Sequence, residues 1–230
     1  LEAIYLLFNE GYSASTGNDL VRFELCGEAI RLSEIIATHE ALNNKSNVHA
    51  ILSLMYLNAC RFKSRTDDHG NILTMAEQDR SVWDRTLMQK GFYYLEKSTI
   101  HKTLSIYHIL AAISAYHCAA PDFESTDWKS ILALYDKLTH LDHSPVVLLN
   151  RAIVICKVNG ALEGLNELER IKDSPALESY HLFYSAQAEF YLQLNDFRKA
   201  SSSLEKAIQL SPLQAERDLL QRKLDLCRKK

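Results

Sequence analysis

YHLFYSAQAEFYLQLNDFRKASSSLEKAIQLSP, residues 180–212, decides the fold. Apolar and small residues recur there at helical spacing in two runs, separated by the turn Asn195-Asp196. Tyr184 opens the first run, and Ala188 and Tyr191 follow on the same face. The second run carries Phe197, Ala200, Leu204 and Ala207, and Pro212 stops it. Small residues let two antiparallel helices approach closely, and the large ones fill the groove beside them.

These spacings are those of a tetratricopeptide (TPR) repeat. The pattern recurs with drift one unit upstream. Leu148, Ala152, Ile155, Gly164 and Leu168 stand 36 residues before Tyr184, Ala188, Tyr191, Ala200 and Leu204. A third, more degenerate hairpin is expected over 108–145, from Ala111, Ala112, Tyr116, Trp128, Ile131 and Leu134. The fold class expected is all-α: stacked antiparallel helix hairpins, TPR-like in the C-terminal half. Residues 101–230 form the repeats, and residues 1–100 form a helical base or cap, since a short solenoid needs its ends covered.

Composition agrees. Seven Gly and four Pro leave little room for the turns of a β fold, and 47% hydrophobic with 24% charged residues is an ordinary globular balance. Working outward, the periodicity predicts helices over 1–9, 19–39, 46–63, 76–97, 101–118, 126–140, 145–158, 161–172, 175–194, 196–210 and 213–228. Leu20, Phe23, Ile30, Leu32 and Ile35 are candidate core positions of the second. The helix from Ser46 is apolar nearly all round, which suits a central position. Ser46 or Asn47 is its candidate cap, and Ser144-Pro145 and Ser174-Pro175 mark later helix starts. Loops are expected at 12–18 and 43–46, and Asp68-His69-Gly70-Asn71 is a turn within a small hairpin-like loop.

The net charge of −3 argues against nucleic-acid binding, which draws most of its affinity from phosphate neutralisation. The basic tail, Arg222, Lys223, Arg228, Lys229 and Lys230, reads as complement to a helix end. Five widely spaced cysteines without a CxxC fit small hydrophobes in a reducing cytoplasm. No apolar run is long enough to span a bilayer. The chain opens on Leu1 inside an apolar helical run, so further residues are expected upstream.

Catalytic chemistry finds little footing. There is no HExxH, P-loop, GxGxxG or GxSxG. His140 and His143 with Asp142 and Asp136 fall short of a convergent metal set and sit where histidines meet the last carbonyls of a helix. His101, His108 and His117 are spaced too widely along one helix to share an ion. The expectation is a protein that is not an enzyme, with no cofactor and no metal.

Two polar–aromatic clusters stand out. One holds Asn9, Glu10 and Tyr12; the other holds Asp67 and Asp68 with Gln78, Asp79, Arg80, Trp83 and Asp84. Arg80 and Asp84 are spaced to pair on a helix, and Arg61 and Arg65 could meet Asp67, Asp68 or Asp79. Two readings stand: a salt-bridge network fixing a loop to the helices, or a docking surface. In the last repeat Leu182, Ser185, Glu189 and Gln193 line the candidate groove. One acid and no lysine argue against a clamp for a C-terminal carboxylate, and favour a partly apolar helix or loop as occupant.

Longer segments carry a resemblance. They are residues 5–15 (YLLFNEGYSAS), 25–32 (LCGEAIRL), 67–73 (DDHGNIL), 78–84 (QDRSVWD), 126–128 (TDW), 134–136 (LYD) and 145–152 (PVVLLNRA). In this order they resemble the C-terminal extension of a group of extracytoplasmic-function sigma factors of the sigma-70 class, in which a TPR-containing domain follows two promoter-binding domains. The resemblance implies a regulatory role in transcription initiation, with the sigma domains of the same chain or core RNA polymerase as partners. No residue here matches the promoter-reading or polymerase-binding helices, so no direct DNA contact is expected. The alternatives are a free-standing TPR scaffold for a protein partner, or a small-molecule-sensing or enzymatic domain. The last would need a deep pocket with converging polar groups near Arg80 and Trp83.

Overall fold

A computed structural model describes residues 1–13, 21–40, 44–100 and 104–229. Among the described residues the regular structure is helical, with one isolated bridge between Thr66 and Ile72, and the chain falls into two units, Leu1–Asp127 and Trp128–Lys230. The loop expected over 14–18, the helix start at Asp19, Leu20, Asn43, His101 and Lys230 lie outside the described residues.

The first unit comprises α1 (Glu2–Tyr12), α2 (Phe23–Thr38), α3 (Ser46–Ala59), α4 (Arg85–Ser98) and α5 (Ile106–Ala119). Eleven of the fourteen residues of α3 are buried, as its all-round apolar sequence implies. Ile51 and Met55 meet Phe8, Cys26 and Ala29, while Leu57 meets Trp83, Met88 and Cys118. Two glycines bring helices against this hub region. A Cβ on Gly91 of α4 would stand 2.6 Å from Leu57 Cγ, and one on Gly11 of α1 would stand 2.8 Å from Cys26 Sγ. Gly11 therefore lies buried inside α1 and does not end it near residues 9–11, as its sequence suggested.

That crossing also corrects the core of α2. Its buried residues are Cys26, Ala29 and Ser33, while Phe23 is 57% and Ile35 50% exposed. The helix turns its small residues inward because α1 approaches so closely. Ser46 does not cap α3. Its hydroxyl donates to the carbonyl of Ser98 (2.6 Å) and meets His108 Nε2 (2.8 Å). His108 Nδ1 in turn faces the Ser105 amide and hydroxyl. A neutral Nε2–H tautomer satisfies the set, and burial lowers the His108 pKa.

The segment 76–84 is not helical as expected. It forms turns and a short 3₁₀ helix, Arg80–Val82. Asp79 accepts from the Ser81 amide, and Asp84 accepts from the Thr86 and Leu87 amides as the N-cap of α4. Each aspartate starts a new element and so ends whatever precedes it.

The second unit comprises α6 (Trp128–Leu141), α7 (Pro145–Asn159), α8 (Ala161–Ile171), α9 (Pro175–Glu178), α10 (His181–Gln193), α11 (Phe197–Leu210) and α12 (Gln214–Cys227). The repeat positions do what their sizes suggest. Ala188, Ala200 and Ala207 are fully buried where α10 and α11 meet, with Leu204 beside them. Ala152, Gly164 and Leu168 are the buried equivalents one unit upstream. A Cβ on Gly164 would stand 2.8 Å from both Cys156 Cβ and Phe190 Cε2. Ser144 and Asp196 cap α7 and α11, and Asn195 takes a left-handed φ of 59° in the turn. The predicted helix over 175–194 breaks at Ser179-Tyr180. Of the helices expected in a third hairpin, α5 belongs to the first unit, and α6 packs on α7 within the second.

All five cysteines are buried and free. Among the described residues no helix is long and apolar enough to cross a membrane.

Candidate functional site

The first unit gathers most of the sequence-predicted polar residues around the segment between α3 and α4. This segment starts with the loop 65–73. The Asp67 carboxylate accepts from the His69 and Asn71 amides (2.9 and 2.8 Å) and from Asn71 Nδ2 (2.8 Å). The Leu73 amide returns to the Arg65 carbonyl at 2.9 Å, and Gly70 takes a positive φ of 79° at the tip. The hairpin-like loop is thus present, and Asp67 is its internal tie. Asp68 is exposed.

Arg65 joins the two predicted clusters. Its guanidinium stands 4.0 Å from the centroid of the Tyr12 ring and donates to the Tyr12 carbonyl. Tyr12 stacks on Phe8, and Glu10 pairs with Arg22 at 3.4 Å; Asn9 stays exposed on α1. Gln78 is buried, donates to the Leu73 carbonyl at 3.2 Å and accepts from the Ser64 hydroxyl at 3.4 Å.

Arg80 is the centre. It is 6% exposed. Its guanidinium donates to the carbonyls of His117 (2.6 Å) and Ala120 (2.9 Å) and to the Thr126 hydroxyl (3.1 Å). It therefore ties the 3₁₀ turn to the end of α5 and the loop after it. The expected pairing of Arg80 with Asp84 is not made, nor is a salt-bridge network of Arg61 with the loop aspartates. The helix that would have carried the Arg80–Asp84 pair is absent, and Asp84 is occupied as a cap. Arg61 and Arg80 instead both lie over the indole of Trp83, at 5.7 and 5.1 Å from its centroid. Trp83 is buried, and its Nε1–H has no acceptor. Burial lowers the Arg80 pKa. Burial, then Arg61 and Arg80, bring His117 down to about 4, so its imidazole is neutral.

Arg80, Gln78, Asp79, Ser81 and Arg85 form one wall of an open cleft of roughly 350 Å³, with residues 121–124 opposite. Trp83, which is buried, does not line it. Among the described residues no three His, Cys, Asp or Glu side chains group as metal ligands.

In the second unit two of the four groove candidates hold neighbouring helices. Glu189 pairs with Lys223 of α12 at 3.0 Å, and Gln193 Oε1 stands 3.4 Å from Cys156 Sγ of α7. Leu182 is 43% exposed and Ser185 is half-buried. In the basic tail, Lys223 and Arg228 are held by Glu189 and Glu205.

Sequence reading missed His117 and Ala120, because they act through backbone carbonyls, which carry no residue signature. It also missed the approach of Cys60 to Cys118, whose partners are far apart in the chain.

Residues 1–99 match a family described as a family of unknown function (DUF6596). That stretch contains Arg80 and Trp83 but stops short of the groups that receive Arg80. The chain is also 33% identical over 222 residues to an uncharacterized protein of Rhizobium meliloti (strain 1021), an alignment covering 96% of this chain and 52% of that protein. The chain thus spans about half the length of the curated relative it matches. No solved structure matches.

Proposed function

We propose that this chain is a regulatory extension of an extracytoplasmic-function sigma factor, acting in transcription initiation through protein–protein contacts. The observation that carries the reading is the ordered set of segments resembling that family, from residue 5 to residue 152. Three of those segments meet physically: 67–73 and 78–84 share one loop region, and Arg80 of the second binds Thr126 of the third. A matched set of partners gives those residues a joint reason to occur together. The relative's length, about twice the matched stretch, leaves room for other domains in that protein. The acidic balance suits a domain that works on proteins and leaves DNA to other domains.

The test is promoter-specific transcription with core RNA polymerase, comparing the full gene product with a version cut just before Leu1. Loss of transcription on cutting identifies a positive element; a gain identifies a built-in restraint. Equal transcription from both, or none from either, sinks the proposal. A second reading, a TPR scaffold for a protein partner, is favoured by the complete repeat signature of α10 and α11 and is what would then remain.

A further inference from the structure

Cys60 closes α3, and Cys118 sits in the last turn of α5. Their sulfurs stand 3.7 Å apart in the interior of the first unit. Both thiols also reach one acceptor, the Leu57 carbonyl, at 3.1 and 3.5 Å. A disulfide bond is about 2.05 Å long, so the sulfurs must close by roughly 1.6 Å.

The surroundings are cationic. Arg61 follows Cys60 in the chain, and Arg80 holds the carbonyl of His117, the residue before Cys118. Among the described residues neither arginine forms an ion pair with a carboxylate. Arg61 Nε, Arg80 Nε and Trp83 Nε1 are buried and have no hydrogen-bond acceptor. Such a site favours an anion. The hydrogen bond with Cys60 lowers the Cys118 pKa most; burial opposes this, and Arg61 and Arg80 add to the lowering. The same hydrogen bond raises Cys60, which stays a thiol.

We propose that Cys60 and Cys118 are a peroxide-oxidisable dithiol, with Cys118 the attacking sulfur and Cys60 the resolving one. The Cys118 thiolate attacks one oxygen of hydrogen peroxide. The O–O bond breaks, a sulfenic acid forms, and the departing hydroxide takes up the proton that Cys118 released and leaves as water. The Cys60 sulfur then displaces the sulfenic hydroxyl, which leaves with the Cys60 proton as a second water. The two sulfurs lose two electrons in total, and the peroxide gains them. Arg80 also lines the open cleft, and an oxidant as small as hydrogen peroxide reaches the buried pair through thermal opening of the end of α5. The bond formed would clamp the end of α3 to the end of α5, directly where the 61–84 segment begins.

The experiment treats the 230-residue protein with hydrogen peroxide, alkylates the remaining thiols and maps them by mass spectrometry. The expected result is a peptide cross-linked through Cys60 and Cys118, reversed by dithiothreitol, with Cys26, Cys156 and Cys227 alkylated. In Cys60→Ser, dimedone captures a sulfenic acid at Cys118; in Cys118→Ser, Cys60 takes no label. Circular dichroism checks that the variants fold, and Cys118→Ala replaces the serine if it does not. Arg61→Gln, a milder change, slows oxidation of Cys118 by removing one of the two positive charges that favour its thiolate. Indiscriminate oxidation of all five cysteines overturns the proposal. So does no cross-link at peroxide levels that oxidise free glutathione, or no dimedone adduct on folded Cys60→Ser.

Discussion

The two units each use an arginine to join three segments, and they do so by opposite physics. Arg151 of the second unit lies at the rim, its side chain 27% exposed, and bridges Asp136 of α6 (2.8 Å) and Glu167 of α8 (3.0 Å) from α7. Water shares that work, so the pairs contribute little. Arg80 of the first unit is buried and reaches two carbonyls and a hydroxyl, without a carboxylate. Its removal leaves buried acceptors with nothing to bond. The repeat unit spreads its stability over many equivalent small-residue crossings. The first unit concentrates its irregular part on one side chain.

The sharpest way to break this comparison is to remove both arginines separately. Arg80→Met is expected to cost on the order of 3 kcal/mol, from stranded acceptors and lost charged hydrogen bonds. Urea unfolding measures it, and a cost below about 1 kcal/mol would erase the contrast. Next, Gly164→Val probes a repeat crossing. Its Cβ has no room beside Cys156 and Phe190, and overpacking there is expected to cost about 2 kcal/mol. A neutral result would mean that the repeat crossings are looser than drawn.

The third test uses pH. His117 has a folded pKa of about 4, below its ordinary 6.5. The unfolded chain therefore binds more protons in between, and stability falls as pH drops from about 6.5 to about 4. Allowing for partial solvent screening, the loss attributable to His117 is on the order of 2 kcal/mol. His117→Phe should flatten that part of the pH profile, and Arg80→Met should shrink it by removing a repelling charge. An unchanged slope in both would disconnect His117 from the arginines. The smallest effect expected is Arg151→Met, at most about 1 kcal/mol and reduced further by salt.

The repeat was legible because size alone encodes it. Ala188, Ala200 and Ala207 are small where helices cross, and no other information is needed to see why. The hub role of α3 was legible for the same reason, since no face of it is polar. The first unit resisted where the decisive partner is distant or is backbone. Phe23 and Ile35 look like core residues until α1 crosses at Gly11 and draws Cys26, Ala29 and Ser33 inward. The pairing of Arg80 with Asp84 assumed a helix that the cap at Asp84 rules out. The signal was present, since Asp79 and Asp84 both favour the N-cap over the helix interior. The Ser46–His108–Ser98 tie joins residues too far apart for any local pattern to show.

The burial of α3 has a consequence on the clock. Helices at the edge of a structure open by fraying or local detachment, and their amides exchange with solvent early. α3 is held on several sides at once, by α1, α2, α4 and α5. No small opening releases it. Its central amides, from Ile51 to Leu57, should exchange only when the whole first unit unfolds. In deuterated water they would be the last protons of that unit to disappear, and their rate a direct reading of how often it comes apart.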